Sequence, residues 1–236
     1  MGNFVNPTDE RSLFIVKGAV FLDMLAVGIF VPLLPYYWKE LGIRSEMLGL
    51  VTSIYQLSQI ASGVILGWVG DHILGRKAVL LLSFSGSAVS YLLAGIAYYY
   101  SKEQDDSQHF GIVLLIMSRV IVGLVKQTMT ISRAVITSLS SDAERTKSLS
   151  HLRACGTLAF MIGPSIGGLL AKWFDRSVPA FVAAGIFIVI YLLAMLLLSQ
   201  KDVDASPAQG FGSKDEIKIS TDKKITLNSE GNSNRK

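Results

Sequence analysis

Charge is scarce in this chain. Only 17% of its 236 residues are Asp, Glu, Lys or Arg, whereas a soluble domain carries about a quarter. Half of the residues are hydrophobic, and they are gathered into long runs. That excludes an ordinary water-soluble domain and points to repeated passage through a bilayer. Cysteine is scarcer still. Cys155 stands alone, which excludes an intramolecular disulfide; among small residues on an apolar stretch, it reads as packing. The three histidines, His72, His109 and His151, fall in or near loops without metal-ligand spacing. No paired catalytic carboxylates at helical spacing and no phosphate loop accompany them, so no enzyme, metal site or cofactor is expected. There is no Asn-x-Ser/Thr acceptor, because Asn6 is followed by Pro7. Met1-Gly2 fits a myristoylation signal only as far as Asn6, where Ser or Thr is required. The first apolar run is not expected to be a cleaved leader: it is too long, holds Asp23 and lacks a small-residue cleavage site. The net charge of +4 is mild and sits in short loops and the C-terminal stretch, which argues against a nucleic-acid partner.

What the chain does have is six apolar runs, at about 13–38, 47–69, 78–100, 110–141, 149–173 and 179–198. Each is near or above the ~20 residues a helix needs to cross a bilayer. The intervening stretches are short, so neighbouring helices run antiparallel. The expected fold class is an all-α membrane protein with six transmembrane helices. Residues 1–12 would be a cytosolic lead, 13–198 the membrane domain and 199–236, rich in Lys, Asp, Ser, Asn and Gly, a disordered cytosolic tail. Orientation follows the loop charges. Arg76, Lys77, Arg145, Lys147 and Arg153 fall on one side with Arg11 and Lys201. Lys39, Arg44 and Lys102 fall on the other, mixed with Glu40, Glu46, Asp105 and Asp106, together with Lys172 and Arg176. The bias places both termini in the cytosol.

The fourth run is the informative one. It holds Arg119, Lys126 and Arg133 at intervals of seven residues, close to two helical turns, so all three project along nearly one stripe. A charge at mid-bilayer costs roughly 2.5–3.5 kcal/mol or more. The stripe must face protein or a wet cavity, although Lys126 and Arg133 could instead snorkel to the cytosolic headgroups. Asp23 lies about 15 Å into the first run from the cytosolic side, and Arg119 about 15 Å into the fourth from the other side. An acid and a base at one depth suggest a pair, or a site that exchanges one partner for a proton or a solute. A static buried salt bridge is the alternative. In the fifth run, Gly156, Gly163, Pro164, Gly167 and Gly168 stand close together. Gly163 and Gly167 have the small-x-x-x-small spacing that lets helix backbones touch, and Pro164 removes a helical hydrogen bond.

These residues together resemble a family. Gly67-Trp68-Val69-Gly70-Asp71 followed by Gly75-Arg76-Lys77 is similar to the loop motif between the second and third helices of major facilitator superfamily transporters. It departs from the motif in having His72 at a usually basic position and a turn one residue longer. Arg119 followed by Gly123 resembles the fourth-helix motif, Gly163-Pro164 with Gly167-Gly168 the fifth-helix motif of proton-coupled antiporters, including tetracycline exporters. Leu25-Ala26-Val27-Gly28 with Pro32 and Pro35 resembles their first-helix motif, and Asp23 sits where such exporters often carry an acid. The stretches 21–36 and 126–145 look most like a group of animal members of the family.

The resemblance implies the N-terminal six-helix half of a twelve-helix bundle that works by alternating access. It implies antiport of a small organic solute against protons. Asp23 would be the proton-coupling residue, with Arg119 tuning it and Lys126 helping to bind the solute. Gly67, Gly70, Asp71, Gly75, Arg76 and Lys77 would form the gating loop, and Gly156, Gly163, Pro164, Gly167 and Gly168 the helix-packing face. The partners would be the lipid bilayer, protons, the solute and either a C-terminal half or a second copy. A different class of function is also expected as an alternative: a half that does not transport but pairs with a full-length relative and regulates it.

Overall fold

In a computed structural model, residues 7–103, 108–140 and 142–198 are described; the expected tail lies outside them. Among the described residues there are eight α-helices and no strand. They are α1 (Pro7–Phe30), α2 (Leu34–Glu40), α3 (Ser45–His72), α4 (Arg76–Glu103), α5 (Gln108–Val125), α6 (Thr128–Leu139), α7 (Asp142–Trp173) and α8 (Val178–Leu197). Six segments are long and apolar enough to cross a membrane: Arg11–Glu40, Glu46–His72, Arg76–Ser101, His109–Leu139, Glu144–Trp173 and Val178–Leu197. The six-helix expectation therefore holds.

The first span starts earlier than the hydropathy suggests, because Pro7 opens α1 at a position where its missing N–H costs nothing. Thus part of the expected lead is helix. The same span then tightens into a 3-10 turn at Val31–Leu33, with Pro32 and Pro35 each at the start of the next helical piece. It stops at Gly42, whose φ of 68° is open to glycine. There Gly42 N–H donates to Lys39 O and Ile43 N–H to Trp38 O, a Schellman ending. The charged stretch 142–147, which falls between two of the apolar runs, is the first turn and a half of α7. Its Glu, Arg and Lys residues are good helix formers, and an acid at Glu144 suits a helix N-terminus.

The largest departure is in the fourth run. It is not one helix: α5 ends at Val125 and α6 begins at Thr128, with Lys126 and Gln127 between. An unbroken helix would have kept Arg133 on the stripe of Arg119 and Lys126. Arg133 is exposed instead.

Packing follows from small residues and aromatics. α1 lies along α7 and α8, α4 along α5 and α8, and α3 along α5. The α1–α7 crossing is where the fifth-run glycines act. A Cβ on Gly163 would sit 2.6 Å from Gly28 Cα, and one on Gly167 would sit 2.1 Å from Ile29 O. Gly156 faces Met24 and Val20 more loosely, and Gly168 faces open space. Inside the bundle, Phe30 meets Tyr91 edge-on at 5.1 Å, Tyr91 stacks on Phe187 at 5.2 Å and Tyr37 stacks on Tyr98 at 4.5 Å. The outer faces of α3 and α7 carry exposed Leu57, Ile60, Trp68, Met161 and Trp173, as suits contact with acyl chains or with other apolar helices.

Candidate functional site: a buried ion pair at a helix break

Asp23 on α1 is fully buried, and its Oδ1 accepts from Lys126 Nζ at 2.5 Å. The Lys126 side chain is 8% exposed and also lies over the Phe187 ring at 4.8 Å. Neither group snorkels. The second carboxylate oxygen, Asp23 Oδ2, is buried and has no hydrogen-bond partner among the described residues.

The partner of Asp23 is therefore Lys126 and not Arg119. Arg119 is also buried, but its guanidinium lies over the rings of Phe30 and Tyr91, at 5.1 and 5.6 Å. Its Nη2 has no hydrogen-bond partner. Span length explains the difference. Asp23 and Arg119 sit about 18 Å and about 15 Å from opposite ends of spans about 45 Å long, the two spans having 30 and 31 residues. That leaves about 12 Å between their levels. Lys126, about 20 Å from the C-terminal end of its span, is the base at the level of Asp23.

The break that presents Lys126 is held by a polar frame from three helices. Gln127 N–H donates to Ser83 Oγ at 3.0 Å, and Ser83 Oγ shares a hydrogen bond with Thr128 Oγ1 at 3.0 Å. Gln127 Nε2 donates to Gln59 O at 2.9 Å and to Ser62 Oγ at 2.8 Å. Gln59 Nε2 reaches Lys126 O at 3.4 Å, and Ser62 Oγ reaches Gly123 O at 3.0 Å. These bonds replace the ladder that the helix gives up, which a bilayer interior demands. Gln59, Ser62, Ser83 and Gln127 escaped the sequence reading. The available signal was a polar Gln-Thr step inside an apolar run.

A cavity of about 470 Å³ opens beside the pair, lined by Asp23, Gln59, Gly63, Lys126, Gln127 and Thr130 among others. Its size is that of a small-molecule site.

The loop-motif residues come together at one end of the bundle. Arg76 Nε donates to Asp71 Oδ1 at 2.9 Å, and its Nη1 donates to Ser138 Oγ on α6 at 3.0 Å. Lys77 Nζ donates to Met195 O on α8 at 3.2 Å. Gly75 has a φ of 80°, and Gly70 packs against Val79. His72 turns back onto Trp68, its ring stacked at 5.3 Å. At the other end, Arg176 pairs with Glu40, Tyr98 donates to Glu40, and Tyr37 donates to the carbonyl of Arg176.

The profile of the Major Facilitator Superfamily matches residues 18–228. The chain belongs to the major facilitator superfamily. Among curated relatives, it is 26% identical over 203 residues to the quinolone resistance protein NorA of Staphylococcus aureus, covering 86% of this chain and 48% of that protein. It is 30% identical over 178 residues to the class B tetracycline resistance protein of Escherichia coli, covering 74% of this chain and 41% of that protein. The chain thus spans about half the length of these relatives. It is an integral, multi-pass member of the superfamily, with an all-α fold matching one half of the family bundle.

Proposed function

We propose that this chain provides the proton- and solute-handling half of a major facilitator secondary transporter, an antiporter that exchanges protons for a small organic solute by alternating access. The observation that carries this reading is the buried Asp23–Lys126 pair beside a solute-sized cavity at a helix break. In this reading Asp23 is the proton-coupling residue. A proton on Asp23 releases Lys126, and a cationic group on the solute competes with that proton for the carboxylate. Arg119 acts on Asp23 through its charge from a different level and fixes the aromatic column of Phe30 and Tyr91. The Asp71–Arg76–Lys77 cluster gates the cytosolic end, and both termini lie in the cytosol. The efflux relatives, named for quinolone and tetracycline resistance, support an organic solute of that kind.

A mid-span cavity lined in part by Asp23 and Lys126 is poorly suited to open onto acyl chains. A second six-helix unit, either a C-terminal half or a second copy, closes it in this reading. The alternative, a non-transporting half that pairs with a full-length relative, draws only in part on the glycine-rich packing face. Gly163 and Gly167 of that face are occupied by α1 of the same chain.

The test is solute-induced proton flux in proteoliposomes carrying the full chain, with Asp23→Asn alongside. Coupled flux is expected to fall at least tenfold in the variant. Flux unchanged by the substitution rules out Asp23 as the coupling residue.

A further inference from the structure

Three features of the cavity beside Asp23 bear on the solute it takes. Asp23 lines the cavity although it is fully buried, and its Oδ2 has no hydrogen-bond partner among the described residues. Lys126 lines the same cavity, with one of its three N–H donors committed to Asp23 Oδ1. The first turn of α6, Thr128 to Thr130, also lines it, and no side chain caps that helix at Gln127. The first N–H groups of a helix have no acceptor within the helix, and the macrodipole there favours negative charge. The lining therefore brings together a carboxylate with one lone oxygen, a cationic donor and a helix N-terminus.

Resting on the transporter reading above, we propose that this cavity takes a small organic zwitterion. Its ammonium end binds Asp23 Oδ2, and its carboxylate end binds Lys126 and the first turn of α6. The electrostatic argument is one of balance. Asp23 and Lys126 already neutralise each other in a dry interior. A solute of single charge can bind one of them only by leaving the other charge, or its own, uncompensated, and uncompensated buried charge is strongly unfavourable. A zwitterion turns one buried ion pair into two and leaves no charge over. Arg119 does not line the cavity and makes no contact with the solute, and its charge, held over Phe30 and Tyr91, is the same with the site empty or filled, so it cancels from this balance. Gly63 also lines the cavity, and a Cβ there would come within 3.2 Å of Gln127 Oε1.

The experiment is equilibrium binding to the full chain in lipid nanodiscs, without any gradient. Two scaffolds serve as probes, each in three charge forms. One is a quinolone bearing a secondary amine and a carboxylate, with its methyl ester as the cation and its N-acetyl derivative as the anion. The other is phenylalanine, with phenylalaninamide and N-acetylphenylalanine. On at least one scaffold the zwitterion is expected to bind at least tenfold more tightly than either singly charged form. Lys126→Met is expected to shift the preference to the cation, and Asp23→Asn to the anion. If either single variant fails to fold, the double variant Asp23→Asn/Lys126→Met, which removes both charges of the pair, is expected to fold and to lose the preference for the zwitterion. A singly charged form binding as tightly as the zwitterion, a preference that survives the double variant, or no binding on either scaffold overturns the proposal. Proton-coupled flux of a singly charged solute without zwitterion preference overturns it while leaving the transporter reading in place. Zwitterion binding without proton-coupled flux does the reverse.

Discussion

Asp23 and Lys126 are the residues on which the site turns, and their burial makes them costly to separate. Removing one charge strands the other in a dry interior, a loss of roughly 3–5 kcal/mol. Asp23→Asn and Lys126→Met should therefore each lower the thermal midpoint in detergent clearly. The double variant should recover most of that loss, because a neutral pair of similar volume is tolerated where a lone charge is not. A double variant less stable than both singles would show that the pair is not what sets the cost. That Asp23 needs a cationic neighbour was legible in the sequence; which neighbour was not. Counting residues inward from each side assumed a thin slab and favoured Arg119. The spans extend to 30 residues and beyond, and over that length the same count brings Lys126, not Arg119, to the level of the acid.

At the scale of single elements, two readings of the sequence fared differently. The spacing of Gly163 and Gly167 translated directly into a helix crossing, because it places both missing Cβ atoms on one face of the helix, against α1. Gly163→Val and Gly167→Ala should disrupt folding, since the added carbon would press on the α1 backbone. Gly168→Ala, with open space around it, should be neutral or slightly stabilising through its better helix propensity, by up to ~1 kcal/mol. Expression level and thermal midpoint of the three variants check this, and equal effects at 167 and 168 would contradict the crossing. The break between α5 and α6 was not legible. It has no proline or glycine at Lys126–Gln127, and its cause is distributed over Gln59, Ser62 and Ser83, which lie on other helices. A period within one run cannot report partners supplied by two others.

For the whole molecule, six apolar runs with short connections determine the antiparallel bundle, and hydropathy alone exposed them. Sidedness is testable with single cysteines in a Cys155→Ser background. Cysteines at His72 and Thr146 should react with an impermeant maleimide from the cytosolic face, and those at Arg44 and Phe174 from the opposite face. Any pair labelled from both faces, or from the wrong one, would refute the orientation. The two rims of the bundle carry one more lesson. Asp71, Arg76 and Ser138 fasten one rim, Lys77 fastens α4 to α8 there, and Glu40, Tyr98, Tyr37 and Arg176 fasten the other. A barrel hooped at top and bottom resists splaying at either mouth. In the transporter reading proposed above, any exchange of openings between the two faces of the membrane then falls to the tilting of this whole body against a second unit, with the hoops riding along intact.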